Sequence, residues 1–232
     1  MNGSDWYYEA VCVGAHPDDV EIGMGATIAK LTAAGAQVAI VDLTDGEPTP
    51  YGSPEIRAGE SAKAAEILGA ERRTLTQANR YLFDSVEART ELATVLRELR
   101  PRMLFVPYPV DAHPDHVAAA SICLGARFYA KFTKTDMPGE PFYPPRVFRY
   151  MAVHQRIIAE PSFVIDVTAE LPVKLEALRA YESQFAANPA NAGIVESMEA
   201  AAAMWGALAR VPFGEPFFAL EPVALGSLDV VL

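Results

Sequence analysis

The sequence predicts an α/β fold, a three-layer sandwich in which a mainly parallel, Rossmann-like sheet carries helices on both faces. Three observations predict it. Short β-rich apolar runs alternate with longer segments of helical period, the pattern of successive βαβ units. The helical segments open and close on capping residues. Two near-identical pentapeptides, "AHPDD" (15–19) and "AHPDH" (112–116), follow predicted strands, at the carboxyl edge where open α/β sheets bind ligands.

The elements follow in chain order. Strands are expected at "EAVCVGA" (9–15), "QVAIVDL" (37–43) and "RTLTQ" (73–77). Between the first two, "GMGATIAKLTAAGA" puts Ile28, Leu31 and Thr32 on one helical face and stops at Gly35. The next helix, "SPEIRAGESAKAAEILG", opens with Ser53 as N-cap and Pro54 in its first turn and ends at Gly69. A third, over 85–100, starts at Ser85 and is stopped by Pro101; Val86, Leu92, Val95, Leu96 and Leu99 form its expected core stripe. "MLFVPYP" (103–109) is a fourth strand, and a long helix begins near Pro114. The Pro/Gly-rich 135–145 reads as a surface loop, followed by strands at "RVFRYMAV" and "SFVIDVT". Helices are expected over "ELPVKLEALRAYESQF" and "AGIVESMEAAAAMWGALA", then an irregular tail, "VPFGEPFFAL". No composition shift or repeat divides the chain, so 1–232 is expected to form one domain.

Composition excludes several classes. With 19 basic against 30 acidic residues the formal charge is −11, which repels phosphate backbones and anionic membrane surfaces, so neither nucleic acid nor membrane is an expected partner. No apolar run approaches the ~20 residues of a membrane span. The start, "MNGSDWYYEA", lacks the basic and apolar regions of a secretory signal, which makes the cytoplasm the expected location. Cys12 and Cys123 sit in apolar stretches and read as buried free thiols.

Three of the four histidines, His16, His113 and His116, fall inside the two pentapeptides, beside carboxylates; the fourth is His154. Histidine and carboxylate are the nitrogen and oxygen ligands of zinc, and a catalytic zinc site uses three protein ligands and keeps a position open. His16 and Asp19, three apart, can reach one ion from the same turn. His113 or His116 can complete the set, and spacing alone does not decide between them. A lone "HPDD" would be an ordinary capped turn. Two such turns at one sheet edge, holding three aspartates, instead call for a cation, since clustered carboxylates repel. Spare acids beside an ion point to hydrolysis: zinc lowers the pKa of water from about 15.7 to about 7, and an adjacent carboxylate takes the proton. Asp18 is placed to do so. A second imidazole could hold an oxyanion, with Asp115 keeping it charged.

These residues make the chain resemble the PIG-L/LmbE-like zinc-dependent deacetylases, which remove the acetyl group from N-acetylglucosamine-containing compounds. The resemblance rests on "GAHPDDVEIGMGATIAKL" and "RPRMLFVPYPVDAHPDH", supported by "VDLTDGE", "GSPEIRAGESAKAAEILG", "PSFVIDVT", "KLEALRAYESQF" and "GEPFF", and so covers nearly the whole chain. It implies an amidohydrolase of linear amides with His16, Asp19 and His116 as zinc ligands and Asp18 as general base. It also implies His113 as oxyanion stabiliser and acid, Asp115 as its partner, and Arg57 near the substrate. Iron(II) and manganese(II) are alternative metals, because His₂Asp ligation is permissive. The implied partner is a small N-acetylated amino sugar, and the implied assembly a homo-oligomer such as a hexamer. Within the family the likeness is nearest to bacillithiol-type deacetylases, which act on N-acetylglucosaminyl malate. Ala112, however, stands where those relatives carry an arginine able to bind a carboxylate. The stretch "TLTQANRYLFDSVEAR" also departs from the family pattern, and its Asn79, Arg80 and Tyr81 are candidate sugar contacts. Ala26, in "MGAT", replaces a common second glycine.

Two readings compete with hydrolysis. A His₂Asp set also makes an iron(II) facial triad of a redox enzyme. Alternatively, the fold could be a non-catalytic module holding a sugar or nucleotide at its strand ends. His154, with Gln155 and Arg156, ends a predicted strand and is left outside the catalytic set. The aromatics Phe142, Tyr143, Phe217 and Phe218 are expected to pack, and Glu21 to be a solvated or a helix-start carboxylate.

Overall fold

In the strand Tyr8–Gly14 (β1), Ala10 and Cys12 enter one hydrophobic layer while Val11 and Val13 enter the other; in Val38–Thr44 (β2), Val38 and Ile40 oppose Ala39, Val41 and Leu43 in the same way. Alternate residues of a strand point to opposite faces, so apolar residues at every position mean a sheet covered on both sides. The computed structural model describes residues 6–154 and 157–227. Within them the sheet also contains β3 (Glu71–Gln77), β4 (Pro101–Pro107), β5 (Arg146–Tyr150), β6 (Phe163–Asp166) and β7 (Gly214–Ala219), in the order β3-β2-β1-β4-β5-β7-β6. The first five in that order are mutually parallel; β7 runs antiparallel between β5 and β6. This is the expected mainly parallel sandwich.

One layer holds α1 (Asp19–Ala33), α2 (Pro54–Leu68), α5 (Leu171–Arg179) and α6 (Ile194–Ala209), which bury Val20, Ile28, Leu68 and Leu178 against the sheet. The other holds α3 (Val86–Leu99) and α4 (Pro114–Tyr129), packed on each other through a layer that includes Leu92, Leu96, Ala119 and Ile122. The α2 caps are as expected: the Ser53 hydroxyl accepts from the Ile56 amide, and Gly69 closes the helix with a φ of 67°. Cys12 and Cys123 are buried free thiols. Phe142, Phe217 and Phe218 pack inside, while Tyr143 is partly exposed and lies over the Arg127 guanidinium.

Three details differ from expectation. The tail "VPFGEPFFAL" contains β7, with Phe217 opposite Tyr150 on one side and Phe163 on the other. Both of its faces are covered, so no polar–apolar alternation marks it. Val86 is 59% exposed; it shares its helical face with Arg89 and Thr90, whereas the core stripe starts from Ala88 and runs through Leu92. Helix α1 starts earlier than expected, at Asp19, and kinks at Met24. Just before the kink, a Cβ on Gly23 would collide with the Tyr150 ring, so glycine permits α1 to lie against β5.

Candidate metal centre

The topology brings the two pentapeptides together. From β1 the chain winds outward through β2 and β3, then returns to place β4 on the other flank of β1, in parallel register with Cys12 opposite Phe105. The carboxyl ends of β1 and β4 therefore flank the point where strand order reverses, and their two turns face each other across it. The His16 and His113 rings are 4.8 Å apart, His16 and His116 5.3 Å, and His113 and His116 4.8 Å.

In the first turn Asp18 adopts φ 112° and ψ −29°, a left-handed conformation that side chains rarely take, and α1 begins at the next residue. Asp19 Oδ2 accepts the amides of Ala15 and His16, each at 3.0 Å. Its Oδ1 is thereby aimed at His116 Nε2, 3.1 Å away. His116 lies in the first turn of α4, and its Nδ1 is 2.5 Å from Asp111 Oδ2. A carboxylate on one ring nitrogen fixes an imidazole's orientation and leaves the other nitrogen to face an ion. His16, Asp19 and His116 each present a ligand atom within 4.8 Å of the others, and so do His16, His113 and Asp115.

Electrostatics fit a cation here. Burial works against charge on His16, but bonds to Asp115 and Asp19 outweigh it and push the ring up to about 10. Burial likewise opposes charge on His116, which Asp19 raises to about 9. Burial opposes Asp19 too, yet His116 and His16 hold its carboxyl well below the usual range. The cluster thus draws positive charge to its centre, and a divalent ion would supply it in place of the protons.

Around this triad the structure places the other expected residues unevenly. Asp18 sits beside it, pushed up to about 6 by burial against the pull of Arg57. Arg57 is 3% exposed, not a surface arginine, and donates through Nη2 to Asp18 Oδ2 at 3.0 Å and to the Pro17 carbonyl. His113 caps α4: its Nδ1 accepts the Asp115 amide at 3.2 Å. That arrangement puts the proton of the neutral ring on Nε2. Burial and the charges on His16 and His116 lower its pKa. The expected Asp115–His113 pairing takes another form, because Asp115 Oδ2 meets His16 Nε2 at 3.1 Å and the Arg80 amide at 2.7 Å. A helix N-terminus favours an uncharged acceptor such as neutral His113 over a cation.

A cavity of about 340 Å³ opens over the cluster, lined by His16, Asp18, Asp19, His113 and His116 and walled by Arg57, Asn79 and Arg80. Tyr81 is not in that wall. Arg80 has a φ of 69°, which turns the chain outward, and Tyr81 is 79% exposed. His154, left out on sequence grounds, lines the cavity with its ring 5.4 Å from His113 and 5.2 Å from His116. Gln155 and Arg156 lie outside the described residues. Asp111 was missed: besides His116 it accepts the amides of His113 at 3.2 Å and His154 at 2.9 Å, so it ties the β4 loop together. Its signal was an acid five residues before His116 in a strand-end loop. Glu21 is not solvated; it is fully buried, with Oε1 2.5 Å from Arg72 Nη1.

The class is thereby defined: an α/β protein of Rossmann-like order with a His₂Asp candidate metal centre at the switch point of its sheet. Residues 11–126 match the family model described as PIG-L, GlcNAc-PI de-N-acetylase. The chain is 32% identical over 192 residues to the diacetylchitobiose deacetylase of Thermococcus kodakarensis, covering 76% of this chain and 70% of that protein. Among solved structures it resembles a conserved protein from Thermus thermophilus, with a TM-score of 0.87 and 38% identity over 94% of this chain and 97% of that one. It also resembles the N,N'-diacetylchitobiose deacetylase of Pyrococcus horikoshii, with a TM-score of 0.77 and 28% identity over 90% and 82%. The chain belongs to the PIG-L family. Among the described residues no helix is long and apolar enough to cross a membrane.

Proposed function

We propose that the protein is a zinc-dependent hydrolase that removes the N-acetyl group from an N-acetylglucosamine-containing small molecule. The observation that carries this is the juxtaposition in one cavity of a His16–Asp19–His116 ligand set, a carboxylate beside it and an imidazole across it. When bound, the metal supplies Lewis acidity, lowering the pKa of water toward about 7 and polarising the amide carbonyl. Asp18, whose carboxyl is raised to about 6, is ionised at neutral pH and is matched to take a proton there. It accepts the proton of the attacking water and returns it to the nitrogen as the C–N bond breaks, so that acetate and a free amine leave. His113 donates from Nε2–H to the oxygen on which charge develops; as a neutral donor it needs no titration to act. Asp115 and Asp111 hold His16 and His116 in place.

The activities named for the relatives support an N-acetylated amino sugar as substrate, and Asn79 and Arg80, which line the cavity, are its proposed hydroxyl contacts, while Arg57 acts on Asp18. Ala112 offers no charge to an acidic aglycone. The test is amine release by metal-quantified protein from N-acetylglucosamine joined to malate, inositol or a second N-acetylglucosamine. One amine per acetate from at least one conjugate, without oxygen uptake, is the expected result. A zinc-replete protein that releases nothing from the panel would overturn the reading, and oxygen consumption would favour the iron triad.

A further inference from the structure

The stretch "KLEALRAYESQF" contributes to the family resemblance, yet no step of the proposed reaction uses it. Its Tyr181 is fully buried just past the end of α5. The ring lies 5.3 Å from the Arg57 guanidinium carbon, and the hydroxyl donates to Glu21 Oε1 at 2.8 Å. Glu21 is in turn held by Arg72, whose fork closes on Asp42 at 2.6 and 2.8 Å. Tyr181 is therefore anchored from behind by a buried chain of charged groups. In front of it, Arg57 bonds through Nη2 alone, to Pro17 and Asp18; its Nε and Nη1 are buried without a partner. Hydrogen bonds on one nitrogen leave a guanidinium free to swing about that end. Two surfaces restrain it instead. The Tyr181 face lies on one, and the Gly46 backbone (φ 75°) comes close enough that an added Cβ would sit 3.3 Å from Nε.

We propose that Tyr181 is a positioning residue, whose ring fixes the Arg57 guanidinium and, through it, the Asp18 carboxylate at the angle from which it takes a proton. The inference rests on the reading of Asp18 as proton acceptor. The metal ligands do not depend on the platform, because Asp19 is held by its own turn and His116 by Asp111. Losing the aromatic face should slow the reaction and leave both metal content and substrate affinity nearly intact.

The experiment measures kcat, KM and bound zinc for Tyr181→Phe, Tyr181→Leu, Arg57→Ala and the Tyr181→Leu/Arg57→Ala pair, with Asp18→Ala alongside. Tyr181→Phe keeps the face and should retain at least about half of kcat. Tyr181→Leu should lose about tenfold in kcat, with KM within about threefold and full zinc. In the Arg57→Ala background it should cost nothing more, since the residue it positions is gone. Multiplying losses in the double variant, a loss that follows zinc, or a Tyr181→Phe as slow as Tyr181→Leu would overturn the proposal. Full turnover in Asp18→Ala would sink the reading of the base and the platform with it, whereas an unimpaired Tyr181→Leu beside an inactive Asp18→Ala sinks the platform alone. Should Tyr181→Leu fail to fold, guanidinium ion added to Arg57→Ala decides: it should restore kcat several-fold where methylammonium does not, and no difference between the two would overturn the proposal.

Discussion

The turns after β1 and β4 carry almost the same five residues, "AHPDD" and "AHPDH", and are built in different frames. In the first, the helix starts only at the last residue, Asp19, and the residue before it, Asp18, is forced to φ 112°. In the second, the helix starts at Pro114, and His113 caps it with an ordinary extended φ of −81°. The first turn thus holds His16 outside its helix and lifts Asp18 into the cavity, while the second carries His116 on its helix, within the first turn. A motif does not fix its own geometry; where the cap falls decides which side chain faces the ion and which stays free. Strain at Asp18 belongs with the role proposed for it, since such outliers persist where the surroundings impose them.

The largest effect is expected when ligands are removed from either turn. His16→Ala or Asp19→Ala in the first, or His116→Ala in the second, should abolish stoichiometric zinc and with it at least about a thousandfold of turnover; elemental analysis beside the amine-release assay checks both. If loss from only one turn emptied the site, the two turns would not share an ion. Asp18→Ala should keep its zinc while turnover falls on the order of 10²- to 10⁴-fold.

A smaller effect separates the supports of the two turns. Asp19 is braced by backbone amides, but His116 leans on a side chain, so Asp111→Ala should weaken zinc binding by about 10- to 100-fold in a chelator competition. Unchanged affinity would mean that the Asp111–His116 contact orients nothing. The smallest effect concerns the backbone. Asp18→Gly and Asp18→Ala lose the same ion pair, yet glycine accepts the positive φ, so Asp18→Gly should be more stable than Asp18→Ala by about 1 kcal/mol in denaturant melts.

Much of this was legible in the sequence because it is local. Ser53, Pro54 and Gly69 bound α2 by their own chemistry, and Ser85 starts α3 in the same way. The positions of His16, Asp19 and His116 in strand-end turns were readable too, given a parallel sheet. What escaped depends on distant pairing. Glu21 looks like a solvated acid until Arg72, on the edge strand β3, reaches back to it and to Asp42. The β7 segment has no alternation because β5 and β6 flank it and both faces are covered. His154 joins the cluster only because β5 lies next to β4. Tyr81, by contrast, lies outside the cavity wall: it follows Arg80, a residue in the left-handed region, and is largely exposed.

Among the described residues two groups of side chains are close enough to hold an ion, His16–Asp19–His116 and His16–His113–Asp115. Anomalous diffraction at the zinc edge from crystals of the zinc-loaded protein therefore decides which group holds the metal. One peak per chain is expected, ligated by His16, Asp19 and His116, with Asp18 and His113 adjacent but not bound to it. A peak ligated by His113 and Asp115, or no peak between the two turns, would contradict that assignment.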